Sequence, residues 1–340
     1  MIALDCTLRD GGYYTNWKFD LELVYNYLKA MEESKIHAIE IGFRSPLNKP
    51  VGEFAKVTDK FIEDNLYIPN IKYLGVMINT SEMTSELIKQ LFVYSDKSPI
   101  NFVRVATHFK DVHLGEVICK DLKSLGYFVT CNLMQAADKS FDEIKDAAKT
   151  INSWNAVDVL YIADSLGGMH HDDVNYSYQA IKSGWNGLIG FHGHNNQGQA
   201  LSNSLEAIDI GFDWIDGTIL GMGRGPGNTE TEYLLGELNK RGFGEFKLEV
   251  IYSLAMNNFF LLKKQCGWGS SLPYYLAAEY NIHPIYIQKM LLGEYSMNTI
   301  LKSIFYLRDK ESSFFHEDLF MKSLGDYMEL KNENISDYTS

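Results

Sequence analysis

The chain has 340 residues, 46% hydrophobic and 22% charged, the balance of a folded globular protein. It is long enough for a barrel of about 250 residues carrying an appendage. A formal net charge of -13 argues against nucleic acid, because phosphate binding calls for clustered Lys and Arg. The four cysteines, Cys6, Cys119, Cys131 and Cys266, form no C-x-x-C pair, which predicts reduced thiols rather than disulfides or a structural zinc site. With no run of about 18 apolar residues and no basic-then-apolar leader, the expected location is cytoplasmic, without a membrane partner.

In chain order, eight short apolar runs predict strands: Ile2 to Leu8, Ala38 to Phe43, Ile71 to Ile78, Phe102 to Ala106, Phe128 to Leu133, Val157 to Ala163, Leu188 to His192 and Trp214 to Leu220. Between them lie helical spacings such as Leu21-Val24-Leu28-Met31 and Leu201-Leu205-Ile208. Eight β-then-α units over residues 1–240 predict an α/β protein, a (β/α)8 barrel rather than an open sheet, with its chemistry at the C-terminal strand ends. Residues 241–330 read as an α-helical appendage: a helix from Leu248 to Lys264, a turn from Gly267 to Pro273, and short helices from Tyr274 to Tyr280 and Pro284 to Leu292. Its tyrosines, Tyr274, Tyr275, Tyr280 and Tyr286, predict packing against the barrel or a second subunit, hence a homodimer. Residues 331–340 read as a polar tail.

The chemistry-bearing signals fall at strand ends. His192 and His194, spaced i and i+2, share one face of a strand, with Gly193 turned away. Asp10, just past the first run, adds a carboxylate from another strand end. Together they make a 2-His-1-carboxylate set with open positions, as a catalytic divalent cation requires. The alternative is a buried histidine pair satisfied by backbone hydrogen bonds.

Thr7-Leu8-Arg9-Asp10-Gly11, Ile39-Glu40-Ile41-Gly42, His192-Gly193-His194 and Gly221-Met222-Gly223 through Gly227-Asn228 together resemble the metal-dependent lyase and aldolase superfamily of TIM barrels that contains hydroxymethylglutaryl-CoA lyase. Arg104-Val105-Ala106-Thr107-His108 and Tyr161-Ile162-Ala163-Asp164-Ser165 most resemble the class II 4-hydroxy-2-oxovalerate aldolases, over about residues 1–240. The resemblance implies Asp10, His192 and His194 as metal ligands, with Asn228 a fourth. Mn2+ or Mg2+ suits such an oxygen-rich set better than a closed zinc site. Asn228 also precedes Thr229-Glu230-Thr231-Glu232, so a helix N-cap is the competing assignment. Arg9 is implied as the partner of the substrate's enolate oxygen, oriented by Glu40; alternatively the two simply tie strand one to strand two. Asp164 and Ser165 are implied to border a keto acid, and His108 either joins them or is a surface histidine.

Departures from the pattern bear on the acid-base group. Those aldolases carry a histidine where this chain has Tyr13, whose ordinary pKa near 10 is far from that of histidine. Tyr13 itself, Tyr14, His283 from the appendage or metal-bound water are the candidates. The catalytic cysteine of hydroxymethylglutaryl-CoA lyase falls at Gly225, and the glycine-rich loop lacks phosphate-cradle spacing. The expected activity is cleavage or formation of a 4-hydroxy-2-oxo acid through a pyruvate enolate, with a 2-oxo acid and an aldehyde as small-molecule partners. A short aliphatic aldehyde, a sugar aldehyde and a semialdehyde are all compatible, and the resemblance also implies an aldehyde dehydrogenase partner. Alternatives are a Claisen-type synthase joining an acyl-CoA to a 2-oxo acid, and a non-catalytic barrel acting as a binding partner.

Overall fold

A computed structural model describes residues 1–46 and 50–325; the polar stretch 331–340 lies outside the described residues. Eight parallel strands close on themselves in chain order: β1 (Ile2–Asp5), β2 (Ala38–Phe43), β3 (Tyr73–Asn79), β4 (Phe102–His108), β5 (Phe128–Met134), β6 (Val159–Asp164), β7 (Leu188–Gly193) and β8 (Trp214–Gly217). Closure comes from β8 pairing with β1, which sets Leu4 opposite Asp216. The strands read as apolar runs because a parallel barrel buries both of their faces.

Each strand is followed by a helix of the outer layer: α1 (Leu21–Glu33), α2 (Asp59–Asn65), α3 (Ser85–Leu91), α4 (Val112–Ser124), α5 (Phe141–Ser153), α6 (His171–Lys182), α7 (Ala200–Ile210) and α8 (Thr231–Lys240). Their starts carry the expected chemistry. The Asp20 carboxylate accepts the amides of Glu22 and Leu23, and Ser140 forms a reciprocal capping box with Glu143. On α1 the buried stripe is Val24, Tyr27, Leu28 and Met31, with Leu21 45% exposed, so the apolar face begins one turn later than its first leucine suggests. On α7 small residues, Ala200, Ser204 and Ala207, make the buried face together with Ile208, while Leu201 and Leu205 are only partly covered.

The barrel interior is layered. Trp214, Phe128, Phe102 and Tyr73 fill its floor, with Phe128 and Trp214 stacked at 5.5 Å, and a belt of charged side chains lies above them. Beyond α8, α9 (Leu248–Leu254) continues through a π-helical segment (Ala255–Phe259) into α10 (Phe260–Cys266), burying Ile251, Leu254 and Phe259 against the barrel wall. Four more helices, α11 (Leu272–Glu279), α12 (Pro284–Leu292), α13 (Met297–Arg308) and α14 (Glu317–Ser323), surround a small core of their own that includes Tyr286, Ile287, Met290, Ile304 and Phe320. This helical group is tied to the C-terminal rim of the barrel. Tyr14 Oη donates to Gly225 O at 2.7 Å and lies 3.3 Å from Tyr274 Oη. Gln288 accepts the Gly225 amide at 3.3 Å and donates to Tyr13 O at 3.1 Å. No helix among the described residues is long and apolar enough to cross a membrane.

Candidate active site

The first strand is shorter than its apolar run. Asp5 ends it by accepting the Thr7 amide at 2.9 Å, and Thr7 Oγ1 accepts the Ile219 amide at 2.8 Å, so Thr7–Asp10 coil into one helical turn. This correction matters for function. Neighbours on a strand point to opposite faces, whereas neighbours in a helical turn diverge by only about 100°, and here both Arg9 and Asp10 line the barrel mouth. His192 in β7 and His194 just beyond it bring their rings to 5.0 Å between centroids. One ligand atom from each of Asp10, His192 and His194 lies within 4.8 Å of the others, and all three residues are buried.

Asn228 joins this group from the loop after β8. Its backbone bridges to His194 and its Nδ2 donates to Asp10 Oδ2, while its Oδ1 has no partner among the described residues. It is not a helix cap: α8 starts at Thr231 with Glu230 at the N-cap position.

Beneath these groups six side chains form a closed circuit. Arg9 Nη1 lies 2.9 Å from Asp10 Oδ1, and Arg9 Nε donates to Glu40 Oε1 at 2.6 Å. Glu40 Oε2 lies 2.8 Å from Arg104 Nε, an ion pair without hydrogen-bond alignment, and the Arg104 fork donates to Asp216 at 2.5 and 3.2 Å. Asp216 Oδ2 lies 2.8 Å from His192 Nδ1, and His192 Nε2 returns to within 3.6 Å of Asp10 Oδ2. Arg9 thus does bond Glu40, as the tie between strands would have it, and still keeps Nη2 unpartnered among the described residues. The face of Tyr161 covers the Arg104 guanidinium at 4.3 Å.

Electrostatics follow from this circuit. Burial alone would raise the Asp10 carboxyl, but the Arg9 guanidinium and the two histidines hold it well below the usual carboxylate range. Burial likewise opposes ionisation of Asp216, and Arg104 with His192 outweighs it, bringing Asp216 to about 2. An ionised Asp216 faces Nδ1 of His192, the arrangement found behind metal-binding histidines. Burial opposes charge on His192, but Asp10 and Asp216 outweigh it and raise the His192 pKa, and a bound cation would take the Nε2 lone pair in place of a proton. Burial and the nearby Arg224 keep His194 neutral. His194 Nδ1, Asn228 Oδ1, Asn132 Oδ1 and Arg9 Nη2 are buried polar atoms without partners among the described residues. Such orphans are costly unless a ligand satisfies them. A carboxylate, two imidazoles and an amide oxygen are a donor set that fits a divalent cation, with Arg9 Nη2 left for an anionic oxygen.

The site opens in two stages. An inner chamber of about 70 Å³ is bounded by Arg9, Asp10, Asn132, His192, His194 and Arg224. A vestibule of about 370 Å³ lies outside it, and Tyr13, Asn79, Met134, Ser165 and Arg224 belong to both walls. Tyr13 is half-buried, and desolvation raises its hydroxyl pKa. Ser165 Oγ accepts the Gln135 amide at 3.0 Å. His108 and His283 line the vestibule only. Burial and the Arg224 charge lower His283 to about 2, and its Nδ1 accepts the Ile285 amide at 3.4 Å. Tyr14, raised by burial to about 12, is committed to Gly225 and Tyr274 outside both chambers. Gly225 itself, at φ +63°, holds a backbone conformation that strains any residue with a side chain, and an added Cβ would meet Pro284 Cβ at a tight 3.0 Å.

Three predicted site residues line neither chamber: Glu40 and Asn228 still bond residues that do, Arg9 and Asp10, whereas Asp164 does not. The Asp164 side chain serves its own loop. Its carboxylate turns back to accept the amides of Gly168 and Met169, both at 3.1 Å, and so shapes the loop after β6. Arg104, Asp216, Asn132 and Arg224 are site residues that sequence reasoning did not select. Arg104 and Asp216 carried a signal, as lone charges inside apolar strands.

A family model described as HMGL-like matches residues 1–257. The 4-hydroxy-2-oxovalerate aldolase of Carboxydothermus hydrogenoformans is 32% identical over 244 residues, 71% of each chain, and that of Geobacillus genomosp. 3 is 32% identical over 242 residues, 70% of each. Among solved structures, the N-terminal domain of a Bacteroides vulgatus protein described as an aldolase matches with a TM-score of 0.79 at 32% identity, covering 89% of this chain and 100% of that one. The hydroxymethylglutaryl-CoA lyase of Bacillus subtilis shares the fold, with a TM-score of 0.65 at 15% identity over 79% of this chain and 94% of its own.

Proposed function

The chain belongs to the HMGL-like family and is a carbon-carbon lyase of the aldolase type, and we propose that it cleaves or forms a 4-hydroxy-2-oxo acid through the enolate of pyruvate, with Mn2+ or Mg2+ as cofactor. The observation that carries this reading is the convergence of Asp10, His192, His194 and the unpartnered Nη2 of Arg9 on one small chamber. Asp10, His192 and His194 would hold the cation, with Asn228 Oδ1 as a fourth donor. A divalent cation there supplies electrophilic stabilisation of negative charge on the ketone oxygen.

The chain's own residues account for the rest. In the cleavage direction the C3–C4 bond breaks and its electron pair shifts into a C2=C3 double bond, leaving the C2 oxygen negative. The 4-hydroxyl loses its proton, C4 becomes the aldehyde carbon, and a proton added at C3 completes pyruvate. Arg9, fixed by Glu40, donates Nη2–H to the C2 oxygen. That bond strengthens as charge develops, so it lowers the barrier rather than only holding substrate. We assign the keto-acid carboxylate to Ser165 and Arg224, which line both chambers.

Tyr13 is our assignment for the proton on the C4 oxygen. Desolvation keeps its hydroxyl protonated, the state that donates to the aldehyde oxygen during bond formation, after which Tyr13 regains a proton from solvent. In cleavage the same path runs in reverse, Tyr13 first giving its proton to solvent and then accepting that of the 4-hydroxyl. His283, lowered to about 2, is a poor proton acceptor and we assign it to the vestibule wall. The reading includes a cytoplasmic homodimer, supported by four free cysteines and by the exposed Met256, Leu261 and Leu272 of the C-terminal helices.

The test is proton NMR of pyruvate in deuterated water, with Mn2+ or Mg2+ and with chelator, comparing the native protein with Asp10→Asn. Metal-dependent loss of the methyl signal in the native protein alone is expected. A methyl signal that persists in the native protein with metal bound would overturn pyruvate as the donor.

A further inference from the structure

The donor chamber and the vestibule differ in size and in wall chemistry, and that difference bears on the second substrate. The vestibule holds about 370 Å³ against about 70 Å³ inside, roughly five times as much. A two-carbon aldehyde would fill little of it. Pockets that hold a ligand bury most of its surface and fix it with a few placed polar groups.

Those polar groups are predominantly uncharged. Asn79 ends β3 and Ser81 lies just beyond it, Thr107 and His108 end β4, and Gln135 follows β5. The side chains of Asn79, Ser81 and His108 make no hydrogen bond among the described residues. Burial lowers the His108 pKa, so the ring is neutral at pH 7 and can both donate and accept. The vestibule's charged groups are Asp111, which opposes an anionic ligand, and Arg224, whose fork is engaged by Ser165 O at 2.7 Å and by His283 Nε2 at 3.4 Å. Phe314 and Phe315 close the outer side with an apolar surface.

Gln135 sits where these walls meet. Its φ of +58° is costly for a residue with a side chain, and such conformations persist where the surroundings impose them, commonly at binding sites. Here the Gln135 amide donates to Ser165 Oγ at 3.0 Å and its Nε2 donates to Ser313 O at 3.0 Å. One strained residue therefore pins the Phe314–Phe315 segment over the keto-acid side of the site.

We propose that the vestibule is built for a neutral, polyhydroxylated aldehyde, an open-chain sugar aldehyde, as the partner of pyruvate, in preference to acetaldehyde, an alkyl aldehyde or a phosphorylated one. The proposal rests on the aldolase reading for the reaction, but the binding chemistry of the vestibule can be tested apart from it.

The experiment uses the full chain with Mn2+ and has two arms. The first measures initial rates of pyruvate addition to acetaldehyde, butanal, erythrose and erythrose 4-phosphate. The second measures binding of erythritol and 1-butanol by saturation-transfer NMR in the native protein and in His108→Leu and Ser81→Ala. Erythrose is expected to exceed butanal in kcat/KM by about tenfold or more, because a site with hydrogen-bonding groups for hydroxyls rejects an analogue that lacks them. His108→Leu or Ser81→Ala should reduce that selectivity ratio severalfold and weaken erythritol but not 1-butanol. Equal use of erythrose and butanal, or preference for acetaldehyde or the phosphorylated aldehyde, overturns the proposal. Absence of turnover with every aldehyde, combined with His108-dependent erythritol binding, would leave the vestibule assignment standing and overturn the aldolase reading. Absence of both turnover and erythritol binding overturns the two together.

Discussion

Replacing Arg104 with Met keeps most of the volume and removes the charge that joins the two halves of the buried circuit. In the native protein two guanidinium groups, Arg9 and Arg104, face three carboxylates, Asp10, Glu40 and Asp216. Removing one partner of a buried ion pair costs about 3–5 kcal/mol, a large share of the roughly 5–15 kcal/mol that stabilises a protein. The more telling consequence is chemical. Arg104 is the main counter to burial in holding Asp216 at about 2, so its loss drives Asp216 towards the protonated form. A protonated Asp216 donates to His192 Nδ1 instead of accepting from it, which moves the imidazole proton to Nε2, the atom facing Asp10. The expected result is a 10- to 100-fold weaker Mn2+ affinity, as for other groups that orient metal-binding histidines. Mn2+ titration followed by electron paramagnetic resonance, with urea unfolding to count only folded protein, measures both effects. Should Arg104→Met fold poorly, Arg104→Lys keeps the charge but loses the fork, and a smaller shift in the same direction is expected. A folded Arg104→Met protein that binds Mn2+ within threefold of native would refute the role given to the circuit.

Arg9→Ala should lower kcat by about 10²–10³-fold, the usual loss on removing one donor to a developing oxyanion, and an unchanged kcat would reduce Arg9 to a tie between strands. Tyr13→Phe should slow aldol addition by about 10²–10⁴-fold while affecting pyruvate methyl exchange much less, and equal losses in both would take Tyr13 away from the aldehyde oxygen. Glu232 offers a pH test. Burial raises its pKa from 4.5 to about 7, so the folded state holds this proton more tightly and the associated stability, complete below 4.5, is lost as pH rises to about 7. Glu232→Gln should therefore be the more stable protein at pH 8, by on the order of 3 kcal/mol, and lose that advantage towards pH 4.5. Melting curves of both proteins across this range check it, and parallel curves would rule it out.

The strands were legible because burial on both faces writes them as apolar runs. The first run misled at its end, since Thr7 and Leu8 are apolar enough to extend a strand and only the Asp5 side chain, bonding two residues ahead, shows that the chain turns. His192 and His194 announced themselves through strand alternation. Arg104 and Asp216 did not, although each is a lone charge in an apolar run, because their meeting depends on barrel closure, which sets β8 beside β1. Asp164 shows the opposite error. The nearby Gly167-Gly168 marks a tight turn whose amides take up the carboxylate, so an acid beside the site serves the loop instead. The vestibule was least visible, since Phe314 and Phe315 lie in a connection between helices, where no periodicity reveals what they cover.

The outer wall contributed by the C-terminal helices separates two kinds of inheritance. Residues matched by the family model end at 257, and every group we assign to the cation and the enolate oxygen precedes that point. His283, Ile285, Phe314 and Phe315 all follow it. On the proposed function, the barrel would set what is done to pyruvate and most of the aldehyde wall, while the tail closes the outer side, so changes in the tail would retune the fit of the aldehyde. Exchanging tails between relatives, with the Gln135 and Gln288 anchors retained, would then vary one wall of the vestibule over an unaltered barrel.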